Sequence, residues 1–505
     1  MSSPLFKKVL VANRGEIALR IMRTLRDLGI PSVAVYSDAD ALSQHRKFAN
    51  EAIRLPGRSS RETYLNVPAL IEAIQSSGAD AVHPGYGFLS ENAAFCEAVR
   101  ALGVSFIGPS VKAMHLMGDK VRAKELMRQH QVPTVPGSEG ALSDLASLQQ
   151  LAHSIGYPLI LKAAAGGGGR GMRIVRSDAD LGPAFEACRR EALSYFGDET
   201  VFAERYISSP RHIEVQVLCD GKKGIHLYER DCSIQRRHQK LIEEAPSLYL
   251  NEKQRQELGE IAVRAALAAD YEGVGTVEFI CEAPHKAYFM EMNTRIQVEH
   301  PVSEMITGID LIQEQIHVAA TKKLRLEQSD IRIRGWSIET RINAEDPAQD
   351  FMPAPGQIKH LHLPGGPGLR IDTHIYPGYT IPSEYDSMIA KFISFGADRE
   401  EAIQRMLRAL SEFECDGIPT TARFHELVLQ HPAFRAGEFD TGFLTQYQAD
   451  MEKGLKSSSG DPLFGPVAAA FQVQLGRQGA QDGQTPATAT GKWGEAARLE
   501  ATRRF

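Results

Sequence analysis

The sequence predicts a protein of mixed α/β and α+β class, with a parallel-sheet first part, an antiparallel middle part and a mixed third part. Short apolar strands alternate with amphipathic helices over residues 1–113, which is typical of a parallel, doubly wound sheet. Turn-bounded strands of alternating polarity follow over 114–334 and favour antiparallel pairs. Residues 335–450 combine strands with a periodic helix. The chain of 505 residues is therefore expected to form three domains and a flexible tail, 451–505.

The elements of the first part follow from hydrophobic periodicity. KKVLVA predicts a strand, GEIALRIMRTLRDLG predicts an amphipathic helix that Gly29 ends, and PSVAVYS predicts the next strand. The alternation continues with VPALIEAIQSSG as a helix, ADAVHPG as a strand, NAAFCEAVRALG as a helix and VSFIG as a strand. Strands joined by helices in this way are expected to be parallel.

The later elements are shorter strands between turns. YPLILK and MRIVRS flank a Gly-rich loop, and HIEVQVLCDG, GIHLYERDCS, GVGTVEFIC and KAYFMEMN each show alternation. In the third part, GWSIETRINAEDP predicts a strand and REEAIQRMLRALSEF predicts a helix. Ser, Gly, Gln, Ala and Thr then dominate residues 457–490, which predicts flexibility, and the final KWGEAARLEATRRF predicts a short basic helix.

The composition excludes several classes of protein. There are 57 Lys and Arg against 63 Asp and Glu, so the net charge of −6 gives no general attraction for nucleic acid. Six cysteines without C-x-x-C spacing are typical of scattered, reduced thiols. The N-terminal apolar run is too short for a signal peptide, and no run reaches the 18 residues of a membrane span. We therefore expect a soluble, cytoplasmic protein with no membrane or nucleic-acid partner.

A glycine run points to phosphate binding. GGGGRG, Gly166–Gly171, formally matches G-x-G-x-x-G, but a dinucleotide site needs a following helix, and MRIV predicts a strand. No Walker A sequence occurs. The remaining interpretations are a mobile hairpin whose N–H groups close over phosphates, and a flexible surface turn. Lys162, which ends the preceding strand, would supply a positive charge in the first case; a strand-end lysine is otherwise usually solvated.

Two carboxylates lie in neighbouring predicted strands. Glu278 in GTVEFIC and Glu291 in AYFMEMN are separated by the turn EAPHK. If the strands form a hairpin, both acids approach each other in largely apolar strands, where a cation would relieve their repulsion. Hard oxygen ligands beside phosphate suit Mg²⁺. The alternative is an edge pair that faces water.

The segment NTRIQVEHPVSE, 293–304, concentrates polar groups. Alternation places Arg295, Gln297 and Glu299 on one face of an extended segment. A guanidinium and an amide suit a small planar anion, and the carboxylate beside them suits a general base. A solvated polar strand is the alternative.

A second polar run, ERDCSIQRRHQK at 229–240, is typical of a solvated face in its middle. His212 and Glu214 alternate on the strand before it and are expected to share a face.

Over roughly residues 4–450 the chain resembles biotin carboxylase, a member of the ATP-grasp family. The motifs that carry the resemblance are VANRGEIALRI, HPGYGFLSEN, LMGDK, KAAAGGGGRGMR, RDCSIQRRHQK, EMNTRIQVEHPVSEMITG, RINAEDP and YDSMIAK. The resemblance implies a central ATP-grasp domain with a mobile lid at about 135–205. It also implies ATP-dependent carboxylation of the biotin of a carrier protein by bicarbonate, through carboxyphosphate.

The resemblance also implies roles for individual residues. ATP would be bound by Lys120, Lys162, Gly166, Gly167, Gly168, Gly169, Glu204 near the adenine, His212, Lys240 and Glu278. Two Mg²⁺ or Mn²⁺ ions would be held by Glu278, Glu291 and Asn293, and bicarbonate by Arg295, Gln297 and the Val298 backbone. Glu299 would deprotonate bicarbonate, Arg341 would stabilise the biotin enolate near Tyr86, and Arg295 and Lys240 would assist catalysis.

Departures and absences refine the expectation. Ala165 stands where members of that family commonly extend the glycine run, and Arg205 stands where they often carry a lysine near the adenine. No Met is followed by Lys, so the biotin attachment signature is absent, and no length remains for a carboxyltransferase. We therefore expect a homodimeric subunit that acts with a biotin carboxyl carrier protein and a carboxyltransferase, as in acetyl-CoA carboxylase of fatty acid biosynthesis, although the sequence leaves the final acceptor open. The alternatives are another ATP-grasp ligase, such as a carbamoyl-phosphate synthetase-like enzyme, and a non-catalytic nucleotide-binding subunit.

Overall fold

A computed structural model describes residues 5–138, 140–142, 144–163 and 172–457. The described residues up to Met451 belong to one compact unit, and Glu452–Ser457 belong to a second. The glycines Gly166–Gly169 and most of the predicted tail lie outside the described residues.

The first part forms a parallel sheet in the order β3-β2-β1-β4-β5, as predicted. Its strands are β1 Val9–Val11, β2 Ser32–Tyr36, β3 Glu51–Arg54, β4 Ala81–His83 and β5 Ser105–Phe106. Its helices are α1 Gly15–Asp27, α2 Gln44–Phe48, α3 Val67–Ser77, α4 Ala93–Ala101 and α5 Val111–Gly118. The central strand is apolar and fully buried because helices cover both faces of the sheet.

A three-stranded antiparallel sheet lies in the predicted lid, in the order β7-β6-β8. Its strands are β6 Leu159–Ala163, β7 Met172–Val175 and β8 Val201–Arg205, and the neighbouring helices are α6 Lys120–Gln129, α7 Leu145–Ile155 and α8 Asp178–Phe196. Because β7 follows the glycine run directly, the structure confirms the predicted strand and excludes a dinucleotide fingerprint there.

The largest sheet has the order β13-β12-β9-β10-β11-β14-β19-β18 and is antiparallel throughout. Its strands are β9 Arg211–Asp220, β10 Gly224–Arg236, β11 Gln239–Ala245, β12 Glu272–Ala283, β13 Lys286–Asn293, β14 Trp336–Asn343, β18 Leu369–Thr373 and β19 Met388–Gly396. The antiparallel middle part is therefore confirmed. The boundary predicted at 334/335 separates strands of one continuous sheet, and the domain division stays a prediction.

The remaining elements do not belong to these three sheets. Their bounds are α9 Glu252–Ala268, α10 His300–Thr307, α11 Leu311–Thr321, β15 Glu345–Asp346, β16 Met352–Pro353, β17 His360–His362, α12 Arg399–Glu412, β20 Glu414–Asp416, α13 Ala422–Gln430, α14 Pro432–Ala436, α15 Phe443–Gln446 and α16 Gln448–Ser457. Helix α12 confirms the predicted REEAIQRMLRALSEF helix. Among the described residues, no helix is long and apolar enough to span a membrane.

Candidate active site

Lys240 lies at the centre of a buried cluster of carboxylates. It projects from β11, and its ammonium donates to Glu214, to Glu278 at 2.8 Å and to Glu299 at 2.7 Å. Burial disfavours the charge of Lys240, but the three carboxylates outweigh burial and raise its pKa well above the ordinary value. Lys240 therefore remains a cation and neutralises part of the negative charge around it.

Glu278 and Glu291 lie opposite each other in the β12–β13 hairpin, as predicted. Glu278 is buried and accepts hydrogen bonds from the Asn293 amide at 2.9 Å and the Gln297 amide at 2.8 Å. Burial acts to raise the pKa of Glu278, yet Lys240 and His212 lower it well below the ordinary value. Glu291, in contrast, is half exposed because β13 is the edge strand, so the expectation of two buried acids is wrong for Glu291.

The predicted metal ligands form a set of hard oxygens. Two cross-strand carboxylates and the Asn293 amide lie at one end of the hairpin, and Asn293 Oδ1 accepts from Arg295 at 2.9 Å. His212 Nε2 lies 3.0 Å from Glu278 Oε2. The possible ligand atoms of His212, Glu214 and Glu278 lie within 4.8 Å of one another. His212 and Glu214 therefore share a face of β9, as predicted. The predicted ligands Glu278, Glu291 and Asn293 offer oxygen atoms of the kind that Mg²⁺ prefers beside phosphate oxygens, whereas the ligand atoms that converge within 4.8 Å include Glu278 but not Glu291.

The segment after β13 is a loop, so the prediction of an extended segment is wrong. Strand β13 ends at Asn293, and Pro301, at the first turn of α10, favours a helix there. Gln297 and Glu299 still reach the Lys240 cluster. Arg295 turns to one side and donates to Glu91 at 2.9 Å, a residue that sequence reasoning missed although it lies in the HPGYGFLSEN motif.

Glu299 lies between two cations. Its Oε1 accepts from Lys240, and its Oε2 accepts from Arg341 at 3.0 Å. Burial acts to raise the pKa of Glu299, but Lys240, Arg341 and Arg230 outweigh burial and hold it below the ordinary range. The carboxylate is therefore ionised at neutral pH, which is the form that a base requires, while the same cations lower its basicity.

Arg341 has a second partner, Glu243 on β11, at 2.7 Å from its Nε. Burial raises the pKa of Glu243 to about 7, with Arg341 opposing the shift and Glu299 adding to it. Sequence reasoning missed Glu243, although an acid in the apolar strand QKLIEEA is the same signal that identified Glu278.

Arg230 organises the floor of the site from β10. The residue is fully buried, and its five N–H donors reach Glu214, Gln216, Ser303, Thr276 and Gln297 at 2.6–3.1 Å. Asp231, Cys232 and Ser233 are buried as well. The expected solvated face is therefore wrong for residues 230–234, where the central strand β10 is buried, whereas Arg237, His238 and Gln239 further along the run are exposed.

A buried lysine connects the site to the first part of the chain. Lys391 on β19 donates to the Val298 carbonyl at 2.8 Å and lies 3.2 Å from Glu16 on α1. Tyr86 donates its hydroxyl to the same Glu16. Burial and the charge of Glu16 raise the pKa of Tyr86 well above the ordinary value, so Tyr86 stays a neutral hydrogen-bond donor. Sequence reasoning assigned no role to Lys391, although YDSMIAK contains it.

The predicted ATP lysines lie near the three-stranded sheet. Lys162 donates to Glu204 Oε2 at 2.6 Å, and Lys120 lies 3.6 Å from Glu291. Burial lowers the pKa of Lys162 to about 8, and the charge of Lys120 adds to this shift. Lys124, which sequence reasoning missed, pairs with Glu204 Oε1. The lysines thus bring an excess of positive charge to the end of the cluster where ATP is predicted.

Arg205, noted above as a departure, points to the β12–β13 hairpin. Its guanidinium donates to Glu282 at 2.5 Å and to the Tyr288 hydroxyl at 2.9 Å. Its charge is therefore engaged in a structural contact.

Comparison with known proteins identifies the family. Models described as "Biotin carboxylase, N-terminal domain", "Carbamoyl-phosphate synthase L chain, ATP binding domain" and "Biotin carboxylase C-terminal domain" match residues 5–114, 119–327 and 339–446. Biotin carboxylase 1 of Bacillus subtilis is 52% identical over 445 residues, which cover 88% of this chain and 99% of that protein. The chain belongs to the biotin carboxylase family.

Two further relatives are nearly as similar. A pyruvate carboxylase subunit of Methanothermobacter thermautotrophicus is 50% identical, over 90% of this chain and 93% of that protein. The biotin carboxylase domain dimer of Hydrogenobacter thermophilus 2-oxoglutarate carboxylase, solved with MgADP, ADP and bicarbonate, is 48% identical with a TM-score of 0.83. That match covers 88% of this chain and 98% of the solved chain. The predicted family, with its ATP-grasp fold, is thereby confirmed.

Proposed function

We propose that this chain catalyses the ATP-dependent carboxylation of the biotin of a carrier protein by bicarbonate, through carboxyphosphate. The observation that carries the proposal is the position of Glu299 between Lys240 and Arg341, at 2.7 and 3.0 Å. An ionised carboxylate there, beside the amide of Gln297, suits proton removal from a small bound anion. The solved relative with MgADP and bicarbonate supports both substrates.

In the first step, Arg295, Gln297 and the Val298 backbone hold bicarbonate, and Glu299 accepts its proton. A bicarbonate oxygen forms a bond to the γ-phosphorus of ATP while the bond to the bridging oxygen breaks, which releases ADP. Lys240, with its raised pKa, stays charged and offsets the negative charge that develops.

The ATP itself has its own proposed contacts. Lys120, Lys162, His212 and the lid glycines Gly166–Gly169 contact the nucleotide, and Glu204 lies near the adenine. Glu278, Glu291 and Asn293 would hold Mg²⁺ or Mn²⁺, which when bound supplies charge neutralisation at the phosphate oxygens.

In the second step, carboxyphosphate breaks into CO₂ and phosphate, and the CO₂ carbon forms a bond to N1 of biotin. Arg341 stabilises the enolate form of biotin as the N1 proton passes to the phosphate released from carboxyphosphate. The guanidinium is suited to this role because burial among Glu243 and Glu299 fixes it and keeps it charged. Tyr86 lies beside this pocket as a neutral donor.

The partners proposed for the chain are a biotin carboxyl carrier protein, a carboxyltransferase and a second copy of the chain. The dimer named for the Hydrogenobacter relative supports the homodimer. Relatives named for pyruvate and for 2-oxoglutarate leave the final acceptor to the carboxyltransferase.

The test is ADP release by the purified chain with MgATP and bicarbonate, with and without free biotin. The proposal predicts that ADP release depends on bicarbonate and increases with biotin, and that carboxybiotin accumulates. Bicarbonate-dependent ADP release that biotin does not stimulate would contradict it.

A second candidate function is carbamoyl-phosphate synthesis, which also passes through carboxyphosphate. It is favoured by the carbamoyl-phosphate synthase description of the match at 119–327. The two flanking biotin carboxylase matches favour the first function. ADP release stimulated by ammonia, with biotin having no effect, would support the second.

A further inference from the structure

Three lysines lie close to Glu204 and Glu291, which are proposed to be near the adenine and to hold the metal, respectively. Lys120 and Lys124 are four residues apart on α6 and therefore lie on one face of that helix. Lys162 reaches the same region from β6. Lys120 pairs with Glu291, whereas Lys124 and Lys162 each take one oxygen of Glu204. The proposed function uses Lys120 and Lys162 but assigns nothing to Lys124.

Glu204 is held on three sides by this arrangement. The residue is 4% exposed on β8, where Lys162 donates to Oε2 at 2.6 Å and Lys124 donates to Oε1. Gly137 packs against the same strand, and a Cβ there would lie 2.9 Å from Glu204 Cγ and 2.4 Å from the Ala203 carbonyl oxygen. The carboxylate orientation is therefore set by its two ammonium partners and by a backbone that leaves no room on the third side.

Lys124 is itself fixed in place. Its side chain is 13% exposed, and its ammonium lies 4.9 Å from the centre of the Phe202 ring on β8, a cation–π distance. A lysine held by an aromatic face and a carboxylate differs from a solvated surface lysine, which samples many rotamers.

We infer that Lys124 is a positioning residue of the nucleotide site: it fixes the Glu204 carboxylate so that it accepts a hydrogen bond from the amino group of adenine and disfavours guanine. The inference rests on the proposed function, which places Glu204 near the adenine. Adenine presents an amino donor where guanine presents a carbonyl oxygen, and a carboxylate fixed opposite that position attracts the donor and repels the oxygen. Without Lys124, Oε1 loses its cation, and the carboxylate is free to turn toward Lys162.

The electrostatics of the region support this role. Burial lowers the pKa of Lys124 to about 7, and the charges of Lys162, Lys120 and Arg128 add to the shift while Glu291 opposes it. Like charges so close together disfavour the ammonium form of Lys124. The negative charge of a bound nucleotide offsets that repulsion, so nucleotide binding and the Lys124–Glu204 contact reinforce each other.

The test measures the affinity for MgADP and MgGDP by calorimetry, in the full chain and without bicarbonate or biotin. Lys124→Met keeps the length of the side chain and removes the charge. It is expected to weaken MgADP binding about tenfold, the effect of one hydrogen bond to a charged group, and to lower the ADP-to-GDP preference by a similar amount. Lys124→Arg, which keeps the positive charge, should retain most of the MgADP affinity and most of the ADP-to-GDP preference. In turnover assays the KM for ATP rises while kcat at saturating ATP stays within about twofold.

Two further variants distinguish the positioning of Glu204 by Lys124 from the general effect of removing a lysine charge. In the Glu204→Gln background, Lys124→Met should change the base preference by less than about twofold, because it acts through Glu204. Lys322→Met removes an exposed lysine that pairs with Glu272 at 2.8 Å and should leave both affinities unchanged. Should Lys124→Met fail to fold, Lys124→Gln is measured in its place, and its ADP-to-GDP preference must fall at least about threefold.

Several results would overturn the inference. They are a wild-type chain that binds MgADP and MgGDP equally, a folded Lys124→Met variant that keeps its base preference, or an equal weakening of both nucleotides. If the wild type binds MgADP selectively but releases no ADP in response to biotin, the proposed function fails, and the binding data still decide the role of Lys124.

Discussion

Arg230 offers the sharpest test of how the active-site floor is built. The predicted perturbation is Arg230→Lys, which keeps the charge and much of the length but replaces a planar fork with a single ammonium. Arginine offers five N–H donors, and in this structure all five are used within the buried site. Lysine offers three, so at least two of the five acceptors lose their donor.

The expected loss of stability follows from the number of hydrogen bonds lost. A hydrogen bond to a charged group contributes about 1.5–3 kcal/mol, so the loss of two lowers the free energy of unfolding by about 3–6 kcal/mol. At about 2 °C for each kcal/mol, the melting temperature falls by about 6–12 °C. Lysine will keep the Glu214 carboxylate as its partner because opposite charges attract most strongly, and we expect the contacts of the Arg230 Nη2, to Thr276 and to the Gln297 side-chain oxygen, to be the ones lost. The KM for bicarbonate should then rise about tenfold while the KM for ATP changes by less than about twofold.

Two measurements are made on each variant. Thermal unfolding is monitored by circular dichroism, and the rate of ADP release is measured at several bicarbonate concentrations. Arg264→Lys is the matched control, because Arg264 is exposed and makes a single 3.2 Å contact with the Gln131 carbonyl. That control should melt within about 2 °C of the wild type. An Arg230→Lys variant with an unchanged melting temperature and an unchanged KM for bicarbonate would refute the reasoning.

Three other predictions follow from the site and its surroundings. Glu299→Gln, which cannot accept the proton, should lower bicarbonate-dependent ADP release by about 100-fold or more; near-normal carboxylation would remove Glu299 as the base. Gly137→Ala should raise the KM for ATP, since its Cβ would meet Glu204, whereas the control Gly140→Ala meets nothing within 4 Å and should behave as the wild type. Burial lowers the pKa of His226 to about 4, so the wild type loses stability as pH falls from about 6.5 to 4, when the unfolded chain gains a proton that the folded one does not. In urea unfolding, His226→Leu should therefore gain stability relative to the wild type over that interval, and an unchanged difference would show that His226 is not the cause.

The parts of this fold that the sequence predicts are those with local signals. Strand alternation, helix periodicity and the turn between two strands that each carry an acid can all be recognised within about 20 consecutive residues. The Glu278–Glu291 hairpin is one example, because its two strands and the turn between them lie close together in the sequence. An acid in an apolar strand also indicates a site, because burying a carboxylate costs free energy unless a cation or a hydrogen-bond donor compensates it. Glu291 is half exposed because β13 lies at the edge of the sheet. The position of β13 depends on the order of the strands in the sheet, which the local sequence pattern does not determine.

Residues whose role depends on distant partners could not be predicted in this way. Arg230 lies in a run of charges that resembles a solvated face, and only the pairing of β10 with β9 and β11 buries it. Glu91 and Lys391 lie in motifs that the resemblance recognised, yet their partners Arg295 and Val298 are far along the chain. Sequence separation hides such contacts because polarity alone does not reveal whether a charged group will meet water or a counter-charge.

These long-range contacts also bear on the predicted domain boundaries. The base candidate Glu299 lies in the middle part, but its partner Arg341 comes from β14, beyond residue 334. The Val298 backbone is held by Lys391, which in turn lies beside Glu16 of the first part. A fragment limited to 114–334 would lack Arg341 and leave the buried Glu243 without the guanidinium that pairs with it, at a cost of about 3–5 kcal/mol. The predicted boundaries therefore separate regions of sequence pattern, whereas the candidate active site is assembled from all three regions and should not survive their separation.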